Sequence, residues 1–332
     1  MYIHAIALPL IGAGISILAV PGFRDFALHY LDNTFSTRLN FTSSEATGWS
    51  LIGLGLLVYI VERVSDAFGG QPLLALRHQS FLPLPPTLAR RDLPRRFATK
   101  RVRPIDCDLY AVMGADSRNL EAALNVHNDW AYKVVGAITG APDAPVAYYG
   151  IVHIPFQFLA GCKFSNYRKI ELFELERNTD RWLQLEHRTK VPLLSVKVHR
   201  EGFDQPTPDV AIRISISYLI RWQEIASVLP APCADVHLRI EQPQIDAVRT
   251  WQDVRNISSA FRTEIDSPQV RGKRIHVFFS GPVSLGFSLG QQISPTIHGE
   301  VHVYNYNASK SPPYEWSILM THEPKGEHVR RF

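Results

Sequence analysis

The chain has 332 residues, a formal net charge of +4 and three cysteines; 45% of its residues are hydrophobic and 20% are charged. That length and apolar content are enough for one large domain or two ordinary ones, each with its own core, and they exclude a disordered or fibrous chain. These averages hide unlike parts.

Met1–Phe23 carries no charged side chain apart from a neutral histidine, His4, and Ala46–Val61 carries none at all. At about 1.5 Å per helical residue the first segment is long enough to cross roughly 30 Å of hydrocarbon, with Pro9 tolerated as a kink. The second is shorter, but Trp49 and Tyr59 stand near its ends as interfacial anchors and Glu62 and Arg63 can snorkel. Gly12 and Ser16, and Gly53 and Gly55, offer close-approach points between helices. Two other readings stay open. One is a signal peptide at Met1–Phe23, although no Lys or Arg precedes its apolar core. The other is a buried core helix at Ala46–Val61. Together the segments read best as a transmembrane helical hairpin over residues 1–66.

Residues 67–104 hold Pro72, Pro83, Pro85, Pro86, Pro94 and Pro104 amid many arginines, which predicts an irregular linker. Nine basic and three acidic residues fall in 62–103, against two basic and three acidic in 1–61. The arginines suit either anionic headgroups or plain solvation, and their bias points the connector towards the cytoplasm. Cys107, Cys162 and Cys233, odd in number and far apart, fit a reducing compartment. Residues 104–332 hold 24 basic and 25 acidic residues, which excludes a broad cationic surface for long nucleic acid. Any anionic ligand there has to be small and locally recognised.

In 105–332 strands are expected at Leu109–Met113, Val146–Ile154, Ile170–Leu175, Val210–Ile216, Val236–Ile240, Ile275–Phe279 and Val301–Tyr306. Helices are expected at Asn119–Val135, Phe156–Cys162, Gln244–Ile265 and Val283–Gln291, so the region reads as α/β with a mostly parallel sheet. It also contains an internal duplication. Gly150–Pro155, Phe156–Gly161, the strand at 170–175 and Trp182 run parallel to Val277–Pro282, Val283–Gly290, the strand at 301–306 and Trp316. In each unit Pro starts a short helix and Gly is expected to end it in the left-handed conformation. Two Rossmann-like halves of this kind can join their strand-to-helix turns into one composite pocket.

No Walker A loop, G-x-S-x-G elbow, HExxH or CxxC pair is present, so spacing singles out no catalytic residue and no metal site. Candidate ligand-binding residues come from the expected carboxyl ends of strands, where helix N-termini present free N–H groups. They are His153, Phe156 and Gln157 in the first unit, Ser280, Gly281, Pro282, Ser284 and Phe287 in the second, and Ser215, Ser217 and Tyr218 between them. Lys163, Lys169 and Arg239 are candidate charge partners, and Phe156, Tyr218 and Phe287 are candidate base-stacking rings.

The runs VAYYGIVHIPFQFLAGCKF, DVAIRISISY and IHVFFSGPVSLGFSLGQQ, followed by EVHVYNYN, resemble the SAVED domain, over about residues 105–325. The resemblance implies a fusion of two CARF-like Rossmann halves that binds a cyclic oligonucleotide, expected to be a cyclic trinucleotide, in the bacterial antiphage systems called CBASS. With two preceding membrane helices the whole chain resembles the two-transmembrane SAVED effectors. That implies a non-enzymatic effector in the inner membrane, with two spans and a cytoplasmic C-terminal domain. On binding a second messenger it would form homo-oligomers and disrupt the bilayer, giving abortive infection. Two other readings remain: a membrane-anchored enzyme degrading a cyclic nucleotide through Ser, His and Lys of the same turns, and a tethered adaptor for protein partners.

Overall fold

The protein is described by a computed structural model over residues 10–12, 15, 45–69, 71–84, 88–113, 119–167, 169–176, 179–186, 193–321 and 329–332. It divides into two units, residues 1–71 and 72–332.

The first unit holds helix α1, Glu45–Gly69, which contains the whole expected second span and continues past it. Gly48, Leu51 and Gly55 are buried, while Trp49, Leu54, Leu57 and Ile60 are exposed. Among the described residues nothing lies within 4 Å of where a Cβ on Gly53 would stand. Among the described residues no helix is long and apolar enough to cross a membrane. Of the first expected span, Met1–Phe23, only residues 10–12 and 15 are described.

The second unit is built on two sheets. In the first, β1 (Leu73–Gln79), β2 (Val102–Asp108), β3 (Val146–Ile151), β4 (Ile170–Glu176) and β5 (Arg181–Gln184) lie in the order β2-β1-β3-β4-β5. The second contains β6 (Val196–Glu201), β7 (Asp209–Ser215), β8 (Cys233–Ile240), β9 (Arg274–Ser280), β10 (Val301–Tyr306), β11 (Tyr314–Leu319) and β12 (Val329–Arg331). Their order is β12-β11-β10-β9-β7-β8-β6. Inside that order sits β8-β7-β9-β10-β11, which repeats the first sheet strand for strand. In both, three parallel pairings are closed by one antiparallel strand. The edge strands β6 and β12 are antiparallel additions to the second half.

The helices repeat as well. They are α2 (Tyr110–Met113), α3 (Leu120–Gly140), α4 (Ile154–Lys163), α5 (Trp222–Ile225), α6 (Trp251–Ile265) and α7 (Val283–Gly290). Helix α3 leads into β3 as α6 leads into β9, and α4 follows β3 as α7 follows β9. Strand alternation sends Leu74, Leu76, Val146 and Tyr148 of one sheet, and Val210, Ile212, Val277 and Phe279 of the other, into one continuous core with these four helices. Side chains on the opposite faces form two smaller clusters, around Ala75, Tyr149 and Trp182 and around Ala211, Phe278 and Tyr314.

Several expectations are corrected. The linker predicted over 67–104 contains β1, a central strand of the first sheet, with Leu73, Leu74, Ala75 and Leu76 fully buried. Pro72 and Pro83 flank this run without interrupting it, and a strand buried on both faces reads as a continuous apolar run. Further along, Leu84, Leu88, Leu93 and Phe97 are buried against the outer cluster, and Arg77 and Arg96 pair with Asp106 and Glu171 at 2.9 and 2.8 Å. Those two arginines are therefore engaged within the fold. The strand expected at Leu109–Met113 is instead β2, ending at Asp108, whose Oδ1 accepts from Ala111 N–H at the start of α2. The helix expected from Gln244 starts at Trp251, because Thr250 and Asp253 form a reciprocal capping box there.

Gly161 and Gly290 do not end their helices in the left-handed conformation; both lie within helical backbone. Their reason is contact. Helices α4 and α7 cross where Phe158-Leu-Ala-Gly161 meets Phe287-Ser-Leu-Gly290. A Cβ on Gly161 would lie 2.0 Å from the Phe287 carbonyl oxygen, and one on Gly290 would lie 2.1 Å from that of Phe158. Since both obstacles are backbone, neither can swing aside. Gly161→Ala or Gly290→Ala is expected to cost about 3 kcal/mol or more, read as a lower urea midpoint of the full-length protein. Gly136→Ala on α3, where a Cβ meets open space, is expected to leave the midpoint unchanged or raise it by up to about 1 kcal/mol.

Candidate functional site

The chain turns that leave β1 and β7 are organised by matching contacts. Arg77 Nη1 donates to the Leu84 carbonyl at 3.1 Å, and Gln79 Oε1 accepts from Leu84 N–H at 2.8 Å. Seven residues past Arg213 the same arrangement recurs, with Nη1 donating to the Ile220 carbonyl at 2.8 Å and Ser215 Oγ accepting from Ile220 N–H at 2.9 Å. Each arginine is itself held by a carboxylate, Asp106 or Asp235, through Nε at 2.9 Å. The turns then bond to the neighbouring strand: Ser80 and Phe81 N–H donate to the Ile151 carbonyl, and Ile216 and Ser217 N–H donate to the Ser280 carbonyl. The sequence RHQSFLPL at 77–84 thus serves the first half as RISISYLI at 213–220 serves the second.

At the carboxyl ends of these strands lies a cavity of about 560 Å³ that both halves line. The first half supplies Gly150, Ile151, Ile154, Glu174 and Leu175. The second supplies the turn Ser217–Ile220, the β9–α7 turn Phe279–Val283, and Tyr306 and Tyr314. The composite pocket expected from the duplication is therefore present, and Ser217, Tyr218, Ser280, Gly281 and Pro282 line it. Ser280 ties two of its walls together, its Oγ accepting from Tyr218 N–H at 2.9 Å. Tyr218 itself is 60% exposed, an aromatic face open to the cavity mouth.

The other candidates lie elsewhere. Phe156 and Phe287 are fully buried, Phe156 beside His127 and Trp316 and Phe287 stacked on Tyr148 at 4.2 Å, so neither ring is available to a base. Gln157 is buried, donating to the Val152 carbonyl at 2.7 Å and packed against Gly286. His153 lies under Phe81, the rings stacked at 4.1 Å. Its Nδ1 is 2.6 Å from Ser80 Oγ, which also accepts from its backbone N–H. Ser215 is buried against His237 Nε2 at 2.9 Å and holds the turn that lines the cavity. Both Ser–His pairs are buried and neither lines the cavity. Lys163 closes α4 at its far end, about 13 Å along the axis from the residue that meets the cavity. Arg239 is exposed on β8, and neither it nor Lys169 lines the cavity.

Ser284 is also displaced from its expected role. Its hydroxyl is buried, and its backbone N–H donates to Glu174 Oε1 at 2.5 Å. A carboxylate from the first half thus satisfies the helix N-terminus of the second, where an anion was expected. Glu224 and Asp246 add two further carboxylates, and among the described residues the lining contains no Lys, Arg or His. Glu224 accepts from Arg221 N–H at 3.1 Å, while Asp246 sits at φ 61°. Sequence reasoning missed all three, along with Tyr306 and Tyr314. Glu174 and Tyr306 were within its reach, since both stand near the carboxyl ends of anticipated strands. Glu224 and Asp246 come from connections whose path the sequence pattern does not reveal.

The SAVED family, the SMODS-associated and fused to various effectors sensor domain, matches residues 132–320, more than half of the chain. The fold is a duplicated α/β module, and the chain belongs to the SAVED family. No curated protein sequence matches it. Among solved structures it is similar to the Acinetobacter baumannii Cap4 SAVED/CARF-domain containing receptor with the cyclic trinucleotide 2'3'3'-cAAA. The identity is 14% and the TM-score 0.52, over 95% of this chain and 77% of that one. It is likewise similar to the same receptor with 3'3'3'-cAAA, at 12% identity and TM-score 0.50, over 95% and 78%.

The buried histidines around this site make the fold sensitive to acid. Burial lowers His127 to about 3, with Lys163 adding to the effect, and lowers His153 to about 4. Burial, followed by the charge of Arg213, lowers His237 to about 4. Each stays neutral when folded but takes up a proton below about pH 6.5 when unfolded, so stability is full above that pH and falls as the pH drops towards 4. Each contributes a slope of about 1.4 kcal/mol per pH unit. Urea unfolding between pH 8 and 4.5 is expected to be flat above pH 7 and to weaken below 6.5. His127→Leu is expected to lessen that loss.

Proposed function

We propose that this chain is a receptor for a cyclic oligonucleotide, a cyclic trinucleotide in the first instance, which binds in the cavity shared by the two halves and signals in antiviral defence. The composite cavity carries this reading: it joins strand ends from both halves of a duplicated fold with Tyr218, Tyr306 and Tyr314 of the second. The SAVED match and the Cap4 receptors with cyclic trinucleotides support it. The cavity acts as a receptor site without turning its ligand over. Residues 1–66 form the output, a helical hairpin in the bacterial inner membrane with the sensor in the cytoplasm. Ligand binding promotes homo-oligomers, and their hairpins disrupt the bilayer and end the infected cell's growth. The exposed apolar side chains of α1 support that placement, since water solvates such a surface poorly. Coupling requires the ligand to bind the assembled state better than the free one.

Calorimetry of the full-length protein with cyclic di- and trinucleotides is expected to show saturable heat for at least one ring. Tyr218→Ala is expected to weaken that binding about tenfold, the loss of one stacked base. No heat with any ring overturns the receptor reading, and cleaved ligand after long incubation overturns its non-catalytic character. For the membrane half, protein reconstituted in dye-loaded anionic vesicles is expected to release dye only with ligand. Silence with bound ligand overturns it.

A further inference from the structure

The duplication supplies an internal comparison for the outer faces of the two sheets. Beyond the arginine-held carbonyls of Leu84 and Ile220, the chain in each half turns back and covers the outer cluster of its own sheet. In the second half the cover is residues 220–229, which place Ile220, Ile225 and Val228 over Ala211, Phe278 and Tyr314. In the first it includes residues 88–97, a strap that places Leu88, Leu93 and Phe97 over Ala75, Tyr149 and Trp182. The apolar task is the same, but the charge differs. Residues 221–229 carry one arginine and one glutamate, whereas 88–97 carry Arg90, Arg91, Arg95 and Arg96 against Asp92 alone. Covering a sheet therefore does not require those arginines.

All four are exposed, while Asp92 is buried and lies 3.4 Å from Arg181 Nε. Arg96 is engaged with Glu171 and lies over the Phe97 ring at 4.6 Å. The Arg91 side chain is 69% exposed and reaches Asp92 only at 3.8 Å, and Arg90 and Arg95 make no ion pair with any described residue. We propose that this strap is a docking surface for an anionic lipid bilayer, with Arg90, Arg91 and Arg95 meeting headgroup phosphates. Charge complementarity names the occupant, and buried Leu88, Leu93 and Phe97 hold the backbone in place, so docking has only side chains left to order. Each cation near such a surface is worth about a fivefold gain in binding, so three give about a hundredfold. A nucleic acid fits the strap less well. Phe97, Tyr149 and Trp182 are buried beneath it, so among the described residues it presents no aromatic face to a base. Residues 104–332, with 24 basic against 25 acidic residues, do not extend it into a long cationic track. Headgroup phosphates need only point charges. The surface stands apart from the ligand cavity, and its docking does not depend on whether residues 1–66 span the bilayer.

Arginine footprinting of the full-length protein tests it. Phenylglyoxal modification at each arginine is followed by mass spectrometry with vesicles of phosphatidylcholine alone and with vesicles holding about one-third phosphatidylglycerol. Arg90, Arg91 and Arg95 are expected to react at least about threefold more slowly on the anionic vesicles and to recover at about 1 M salt, where the screening length falls to about 3 Å. Arg239 and Arg255, exposed on β8 and α6, are expected to keep their rates. Arg90→Gln, Arg91→Gln and Arg95→Gln combined are expected to leave the urea midpoint at the wild-type value and to abolish the lipid-dependent protection of Arg96. Equal rates on the two vesicles, slowing shared by Arg239 and Arg255, or Arg96 still protected in the variant overturns the proposal. So does protection by an added single-stranded oligonucleotide and not by anionic lipid, which assigns the strap to nucleic acid. Flotation with the phosphatidylcholine vesicles reports separately on residues 1–66: its absence overturns the hairpin and leaves the footprint to decide the strap.

Discussion

The second unit depends on one reciprocal contact. Helices α4 and α7 cross backbone to backbone, Gly161 against the Phe287 carbonyl and Gly290 against that of Phe158, with Cys162 Sγ donating to the Gly290 carbonyl at 3.2 Å. Side chains at those two positions would force the helices apart, and the sheets that carry them would follow. With glycine there, Phe158 and Phe287 extend to opposite sides, one against Phe279 of the second sheet and the other against Tyr148 of the first. Each half therefore places an aromatic ring on the other's sheet, and a single core runs through both. The cavity exists because this crossing sets the two sets of strand ends side by side.

Duplication explains much of the rest. A motif that buries an arginine, clamps it with a carboxylate and uses it to hold a carbonyl seven residues on appears once per half. The halves then diverge where function needs asymmetry. The first turn closes over itself, with Phe81 stacked on His153, whereas the second opens Tyr218 to the cavity. Glu174 crosses from the first half to the second with no counterpart bond in return among the described residues.

The balance of charge follows the same logic. Arginines of the 77–103 segment that look like a basic patch in sequence are partly consumed by Asp106 and Glu171. The three carboxylates that line the cavity come from β4, α5 and the turn before α6, so no local window of sequence looks acidic. A near-neutral region can therefore gather several carboxylates at one cavity, and its net charge says little about that local arrangement.

Sequence by itself determined the strand-helix-strand units, their repetition, the placement of turns by Pro155 and Pro282, and the membership that rests on those patterns. These are local properties, set by alternation, apolar runs and backbone constraint within a few residues. It misjudged β1 because composition averaged over a Pro- and Arg-rich window hid four buried apolar residues. It also gave Phe156, Gln157 and Phe287 to a ligand when the helix crossing required them as core. Only the tertiary structure decided which side of each short helix faces its twin, and hence that Glu174, Glu224, Asp246 and Tyr306 share a cavity with Ser280 and Tyr218. Those residues come from separate strands, turns and a short helix along the chain. Packing of two glycines more than a hundred positions apart brings them together, and that contact has no local signature.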